Sequence, residues 1–558
     1  MQPPLIRGER MTPYEELKGL PKDVVALKWL EQCAACRQTQ ERVLMDILAR
    51  NQDTEIGRKF HFDRIRSIAD YQRQVPVLEY DDFRPAIEAI AAGQEDILFA
   101  GAPKLFLQTS GTTGEPKLVP ESFLSSEVRY MVQHVRECYT SEATVNALKK
   151  NKHFARLAAR KNWGAPESVG RQQVFRDMHV LPLVTAAPAK RSAGGAPIDF
   201  ASNVSARKNN TPPLMTYPLE IAQVMDKEAV MYLFMLFSLR FDDIVEIAGN
   251  HAGRLTAMIE YAREHSQELI DDLRCGTLSA RLALTTAERQ MLAPYLKPLP
   301  ERAAELDRIR RTQEFIPRYY WPYLSCCVFW LSGSMSRQVH ELDGLLPESA
   351  ICMDVGYGSS EIKINIPTRA GSGVGTLATF AGFFEFRRTS DGAVFAAHEV
   401  EVGQKYSLLL TTYAGLYRYD LHDLVKITGF NGDTPELTFV IREGDILNIG
   451  QEKFPADLLC QLAEEAAAIR LCQIWLNEDE RRYELYLEPL PQETRSEREL
   501  AHDLDDYLQE HFPPYGRYRQ YKVINPLKVC RLPDGRKEAL LETTVKIPLV
   551  LPAPPKLV

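Results

Sequence analysis

The sequence has no apolar run long enough to cross a bilayer. The longest, Ala229 to Phe241, is interrupted by Ser238 and Arg240 and falls well short of the roughly 20 residues that a spanning helix needs. The amino-terminal stretch Met1-Gln-Pro-Pro-Leu-Ile-Arg-Gly-Glu-Arg lacks the apolar centre of a secretory signal, so a soluble, cytoplasmic protein with no membrane partner is expected. Positive charge is not in excess either. The net charge of -8 removes the electrostatic reason to expect nucleic acid as the main partner. The one basic segment, Lys149, Lys150, Lys152, Arg156, Arg160 and Lys161, is broken by Phe154, Leu157 and Ala158 at helical spacing and reads as the wet face of an amphipathic helix.

Cysteine is sparse and scattered. A single Cys33-Ala-Ala-Cys36 pair falls within an expected helix over Val24 to Arg50, and no second pair stands at zinc-finger spacing. Small buried apolar residues and reduced thiols are the expectation. Cys326 and Cys327, adjacent in an expected strand, should point to opposite faces. Internal repeats and low-complexity runs are absent, and so is the Walker loop: Lys117 is preceded by Pro116 and followed by Leu118, where that loop needs Gly-Lys-Ser/Thr.

What is present fits a large folded protein. A chain of 558 residues, 45% hydrophobic and 25% charged, is globular in composition and too long for one core, since single cores stop growing at about 250 to 300 residues. Helical periodicity dominates the first hundred residues, including Asp81 to Gly93. Another helix is expected from Ser122 to Cys138, a surface excursion through Ala186 to Pro197, and mostly helix over 218 to 313, with Gly276 ending one of them. Short strands follow at Cys326 to Leu331, Ile351 to Val355, Thr379 to Phe386, Tyr406 to Thr412, Leu424 to Thr428 and Leu437 to Ile441. Beyond Arg442 the pattern restarts: strand Asp445 to Ile449, helix Pro455 to Arg470, strands Cys472 to Leu476 and Tyr483 to Leu487, helix Ser496 to His511, then strands Tyr521 to Ile524 and Glu542 to Val545. The fold class is α/β: a large domain of mixed sheets and helices over 1–441, and a small α+β domain over 442–558.

Three segments carry chemistry. Gln108-Thr-Ser110-Gly111-Thr112-Thr113-Gly-Glu-Pro-Lys117 follows the apolar run Leu105 to Leu107. Its hydroxyls, glycine-exposed backbone N–H groups and lysine suit a polyphosphate such as that of ATP, although the same residues also build ordinary turns. Tyr357-Gly-Ser359-Ser-Glu361 follows an expected strand and ends in a carboxylate, a hard oxygen ligand suited to magnesium beside a nucleotide, or a plain polar turn. Gly415-Leu-Tyr-Arg-Tyr-Asp420-Leu-His422-Asp423 sets acids before a strand, where a carboxylate can accept hydrogen bonds from both ribose hydroxyls. His422 alone indicates no particular role.

In this order the segments resemble the adenylate-forming superfamily, and more closely the plant auxin-responsive Gretchen Hagen family of acyl acid amido synthetases. Pro76-Val-Leu-Glu-Tyr80, Gly333-Ser334-Met335, Tyr357 to Glu361, Thr411 to Tyr419, Asp423 to Phe430 and Gln520-Tyr-Lys522-Val resemble that family's landmarks in register.

The resemblance implies an ATP- and Mg2+-dependent ligase that adenylates a small carboxylic acid and passes the acyl group to the amine of an amino acid. It further implies phosphate binding by Ser110, Gly111, Thr112 and Thr113 with Lys117, and nucleotide contacts from Tyr357, Ser359 and Arg442. Glu361 would hold magnesium, Asp423 the ribose, and Lys522 would stabilise charge at the reacting phosphate. Arg442-Glu-Gly444-Asp445 is expected as the hinge of a mobile small domain.

The chain departs from the family in three places. Residues 109–113 read Thr-Ser-Gly-Thr-Thr where plant members favour Ser-Ser-Gly-Thr-Ser. His422 stands where glycine is usual. Leu532-Pro-Asp-Gly-Arg-Lys537 looks like the glycine-lysine motif of other adenylating enzymes, which makes Lys537 a second candidate for the catalytic lysine. An acyl-coenzyme A synthetase of the same superfamily, or a non-catalytic nucleotide-binding relative, are the alternative readings.

Overall fold

The computed structural model describes residues 11–108, 117–183, 190–201, 204, 215–250, 252–332, 339–442, 446–447, 454–477, 479–520, 524–543, 547–551 and 554–555. The contacts divide the chain into two compact units: residues 1–108, 118–421 and 426–439 in the first, and 109–117, 422–425 and 440–558 in the second.

The first unit is built around three sheets. One is wholly parallel, in the order His179–Pro182, Ile244–Ala248, Cys326–Phe329, Ile351–Asp354. The strand Cys326–Phe329 is buried along its whole length, as expected of a parallel strand covered on both faces. Its residues alternate between cores: Cys327 and Phe329 join the large cluster with Leu233, Leu255 and Trp321, whereas Cys326 and Val328 pack with Met353. The two adjacent cysteines therefore do face opposite ways.

A second sheet runs Leu118–Glu121, Leu105–Gln108, Pro197–Asp199, Lys190–Arg191. The last two strands form an antiparallel pair where a surface excursion is expected from sequence. The third has seven strands, in the order Val394–Ala396, Gly382–Arg388, Lys405–Thr412, Tyr419–Asn431, Thr434–Arg442, Gly375–Leu377, Asn365–Ile366.

The span 218–313 is mostly helical, as expected, with the strand Ile244–Ala248 set within it between two parallel neighbours. One sequence expectation for this unit is corrected. The single helix expected over Val24 to Arg50 is two, Lys22–Cys33 and Cys36–Asn51. The cause lies far along the chain. The Cys33 carbonyl accepts the Asp433 N–H (3.1 Å) and the Thr434 hydroxyl (2.9 Å), and Gly432 lies so close that a Cβ there would meet the Ala34 Cα at 2.8 Å. Only glycine at 432 admits that approach.

The second unit has a sheet in the order Lys528–Arg531, Arg482–Pro489, Ile469–Asn477, Val550–Leu551. The helices Ala456–Ala466 and Glu497–His511 bury Leu459, Ala463, Leu500, Leu504 and Leu508 with Ile474, Leu485 and Leu487 of the sheet. Ser496 and Glu499 cap the second helix reciprocally. The strand expected at Glu542 to Val545 is instead entered by the helix Arg536–Thr543, whose Lys537 N–H reaches Glu488 Oε2 at 2.6 Å. The expected strand Tyr521 to Ile524 falls mostly outside the described residues. No helix among the described residues is long and apolar enough to cross a membrane.

Candidate active site

At the carboxyl end of the parallel strand Ile351–Asp354, the usual position for ligand-binding loops in such sheets, the chain folds into a tight hairpin. Asp354 anchors it by accepting the N–H groups of Leu331 (2.7 Å) and Gly356 (2.6 Å), and burial pushes its carboxyl up to about 6. Gly356 takes φ +88, a conformation that favours glycine.

Beyond it the Tyr357 N–H donates to Asn365 Oδ1 (2.8 Å), and the Tyr357 carbonyl accepts the N–H groups of Ile364 (2.9 Å) and Asn365 (3.2 Å). The Ser359 N–H donates to the Ile362 carbonyl at 2.9 Å, and the Ser359 hydroxyl oxygen accepts the Glu361 N–H at 3.2 Å. Tyr357 is buried, with its ring centroid 5.3 Å from that of Phe439.

The long helix Phe123–Lys149, capped by Ser122, secures this loop with two arginines seven residues apart and hence on one helix face. Arg129 donates to the carbonyls of Ser359 (3.2 Å) and Ser360 (2.6 Å) and pairs with Glu121 at 2.6 Å. Arg136 donates to the Val355 carbonyl at 3.1 Å. Both members of the Arg129–Glu121 pair are buried.

Between helix and loop lies a small cleft lined by Arg129, Ser125, Glu361, Lys363, Thr412 and Tyr413, among others. Glu361 is only 8% exposed, yet its carboxylate receives no hydrogen bond or ion pair from any described residue. A carboxylate that opens on a cleft with no described hydrogen-bond donor on it is a hard oxygen ligand, so the donor chemistry suits a magnesium ion. Lys363 runs its stem past Gly358, where a Cβ would meet Lys363 Cδ at 2.8 Å. Burial, reinforced by Arg129 and Arg136, pushes its ammonium down to about 7, with Asp354 opposing the shift.

The other expected residues fall elsewhere or outside the described set. Tyr357, Ser359 and Glu361 come together in the first unit. Lys117, exposed, and Asp423, buried, are grouped with the second unit. Asp423 lies within the strand Tyr419–Asn431 rather than before one. His422 adopts φ +58, a left-handed backbone conformation that glycine takes more readily than other residues. Arg442 is the last residue of its strand. Ser110, Gly111, Thr112, Thr113 and Lys522 lie outside the described residues, as do residues 333–335 and Gly444 of the expected hinge.

Arg129, Arg136 and Lys363 are absent from the sequence reading of the site. The seven-residue spacing of the two arginines was a usable signal, but nothing local indicated which loop that helix face would meet.

Comparison with known proteins follows the same lines. The family model described as GH3 family N-terminal domain matches residues 26–351, and that described as GH3 family central domain matches residues 375–442. Indole-3-acetic acid-amido synthetase GH3.2 of Arabidopsis thaliana is 28% identical over 480 residues, covering 80% of this chain and 82% of that protein. Indole-3-acetic acid-amido synthetase GH3.8 of Oryza sativa subsp. indica is 27% identical over 471 residues, covering 80% and 73%. The solved structure of GH3.15 acyl acid amido synthetase shares the fold, with a TM-score of 0.76 and 21% identity over 96% of this chain and 95% of that one. With the N-terminal domain model alone matching more than half of its length and the central domain model following it in order, the chain belongs to the GH3 family.

Proposed function

We propose that the protein is an ATP- and Mg2+-dependent acyl-acid amido synthetase that works on small carboxylic acids in the cytoplasm. A carboxylate oxygen attacks the α-phosphorus of ATP, forming an acyl-adenylate and releasing pyrophosphate. The amino group of an amino acid then attacks the acyl carbon, the C–O bond to phosphate breaks, and AMP leaves with the amide formed. The observation that carries this reading is the match to both GH3 domain models. It is supported by relatives named as indole-3-acetic acid-amido synthetases and by a solved GH3.15 complex with 2,4-DB that has the same fold. The free state of all ten cysteines is in keeping with a reducing compartment.

The roles proposed for individual residues follow from charge. An anionic carboxylate approaching an anionic phosphate is opposed by repulsion, so groups that offset the developing charge supply much of the acceleration. Ser110, Gly111, Thr112 and Thr113, with Lys117, are assigned to the phosphates. Tyr357, Ser359 and Arg442 are assigned to the nucleotide, Asp423 to the ribose, and Lys522 to the reacting centre from the proposed small domain, 442–558.

Glu361 would hold magnesium, which when bound offsets phosphate charge. The chain's own part is to keep that carboxylate in place: the Ser359 hydroxyl accepts the Glu361 N–H, and Arg129 fixes the two carbonyls before it. The test is incubation with ATP, magnesium, a panel of aryl and indole acids and mixed amino acids. Pyrophosphate release with amide products supports the reading, and thioester formation requiring coenzyme A overturns it.

A further inference from the structure

We propose that Lys363 binds a substrate carboxylate in the cleft between the helix Phe123–Lys149 and the loop Tyr357–Glu361. The proposal rests on the ligase reading above and adds to it the group that would select for an anionic substrate.

Three observations converge on this lysine. First, it lines the cleft together with Arg129 and Glu361, and its position is built: the stem lies against Gly358, where any Cβ would collide with Lys363 Cδ at 2.8 Å, and Gly358 and Lys363 bridge across the hairpin. Second, three of the other polar lining groups, Arg129, Ser125 and Thr412, are already engaged. Arg129 uses its guanidinium on Glu121 and the carbonyls of Ser359 and Ser360. The Ser125 hydroxyl donates to the Ser122 carbonyl, and the Thr412 hydroxyl oxygen accepts the N–H groups of Ala414 and Leu416.

Third, Lys363 forms no hydrogen bond or ion pair with any described residue, and it does not pair with Glu361 two residues away. An ammonium with three donors and no acceptor, held in a partly desolvated cleft, is complementary to a small anion. Carboxylate is the anion common to both substrates of the proposed reaction. Glu361 faces the same cleft and opposes an anion until a cation neutralises it, so magnesium should strengthen carboxylate binding.

The experiment reads binding and turnover separately. The wild-type chain, Lys363→Gln and Lys363→Arg are melted with and without magnesium in the presence of benzoate, phenylacetate or indole-3-acetate, and of the uncharged benzamide. A parallel arm uses L-alanine against L-alaninamide. The expected result is a rise in Tm with a carboxylate but not with its amide, in wild type and Lys363→Arg but not in Lys363→Gln, and larger with magnesium. Which arm responds tells whether Lys363 reads the acid or the acceptor.

With an accepted acid, Lys363→Gln should raise the KM of the carboxylate that Lys363 reads on the order of 10- to 100-fold, the loss of one charge-assisted hydrogen bond, while the KM for ATP stays unchanged. Equal carboxylate shifts in wild type and Lys363→Gln would overturn the proposal, as would no shift in the wild type with any of these carboxylates. Pyrophosphate exchange on the wild type is scored on its own. Its absence with every acid removes the ligase reading, while the melting data still decide whether Lys363 holds a carboxylate.

Discussion

Arg129 and Ser360 meet through a 2.6 Å hydrogen bond from guanidinium to backbone carbonyl, which ties the second turn of the helix Phe123–Lys149 to the residue just before the candidate metal ligand Glu361. The same guanidinium is paired with buried Glu121, so its removal would leave a buried carboxylate without its partner. Arg129→Met is expected to destabilise the protein by about 3–5 kcal/mol in urea unfolding. Arg129→Lys should lose less, because it keeps the charge but cannot reach all three acceptors. Equal stability of Arg129→Met and wild type would contradict this role.

Glu361→Ala and Asp423→Asn should each abolish pyrophosphate release while the melting temperature stays close to that of wild type. Normal turnover in either variant removes that residue from the nucleotide site.

The two candidate lysines are separated by a direct exchange. Lys522→Ala should slow adenylation by about 10²–10³-fold, the scale of losing one preorganised charge-stabilising group. Lys537→Ala should be mild, since the 2.6 Å bond from the Lys537 backbone N–H to Glu488 survives the substitution. The reverse pattern transfers the role to Lys537.

Glu246 provides a pH-dependent test of stability. It lies on the strand Ile244–Ala248 and accepts the Thr144 hydroxyl at 3.2 Å. Burial pushes its carboxyl up to about 7, with Arg136 pulling the other way. Between its unfolded value near 4.3 and about 7, the folded state holds the proton more tightly, so this group's contribution to stability falls as pH rises through that window and is flat above it. Glu246→Gln should therefore match wild type near pH 5 and exceed it in stability near pH 8. A difference that does not change with pH would contradict the assignment.

Gly276 closes the helix Ser266–Cys275 at φ +67, and a Cβ there would meet Pro298 Cδ at 2.7 Å. Gly276→Ala is expected to cost on the order of 1–3 kcal/mol in denaturant unfolding, with kinetics unchanged because the residue is not part of the cleft.

That glycine belongs to the part of the fold legible in the sequence, because helix ends are written locally. So are the Ser122 cap and the reciprocal Ser496–Glu499 cap. The strand Ile351–Asp354 and the loop ending in Glu361 were also readable, since an apolar run followed by glycine and hydroxyl residues marks a strand end. The break at Ala34 and Ala35 was not, for it is imposed by Thr434, 401 residues beyond Cys33. Arg129 and Lys363 were hidden for the same reason: each looks like an ordinary surface cation until the fold sets it against the loop Tyr357–Glu361.

The most direct test of the central claim is exchange of labelled pyrophosphate into ATP by the purified protein with a panel of carboxylic acids, followed by mass spectrometry of the products after addition of amino acids. Acid-dependent exchange in the wild type, lost in Glu361→Ala, with an amide product and AMP, is the predicted result. Exchange with no acid in the panel, or exchange that persists unchanged in Glu361→Ala, would contradict it.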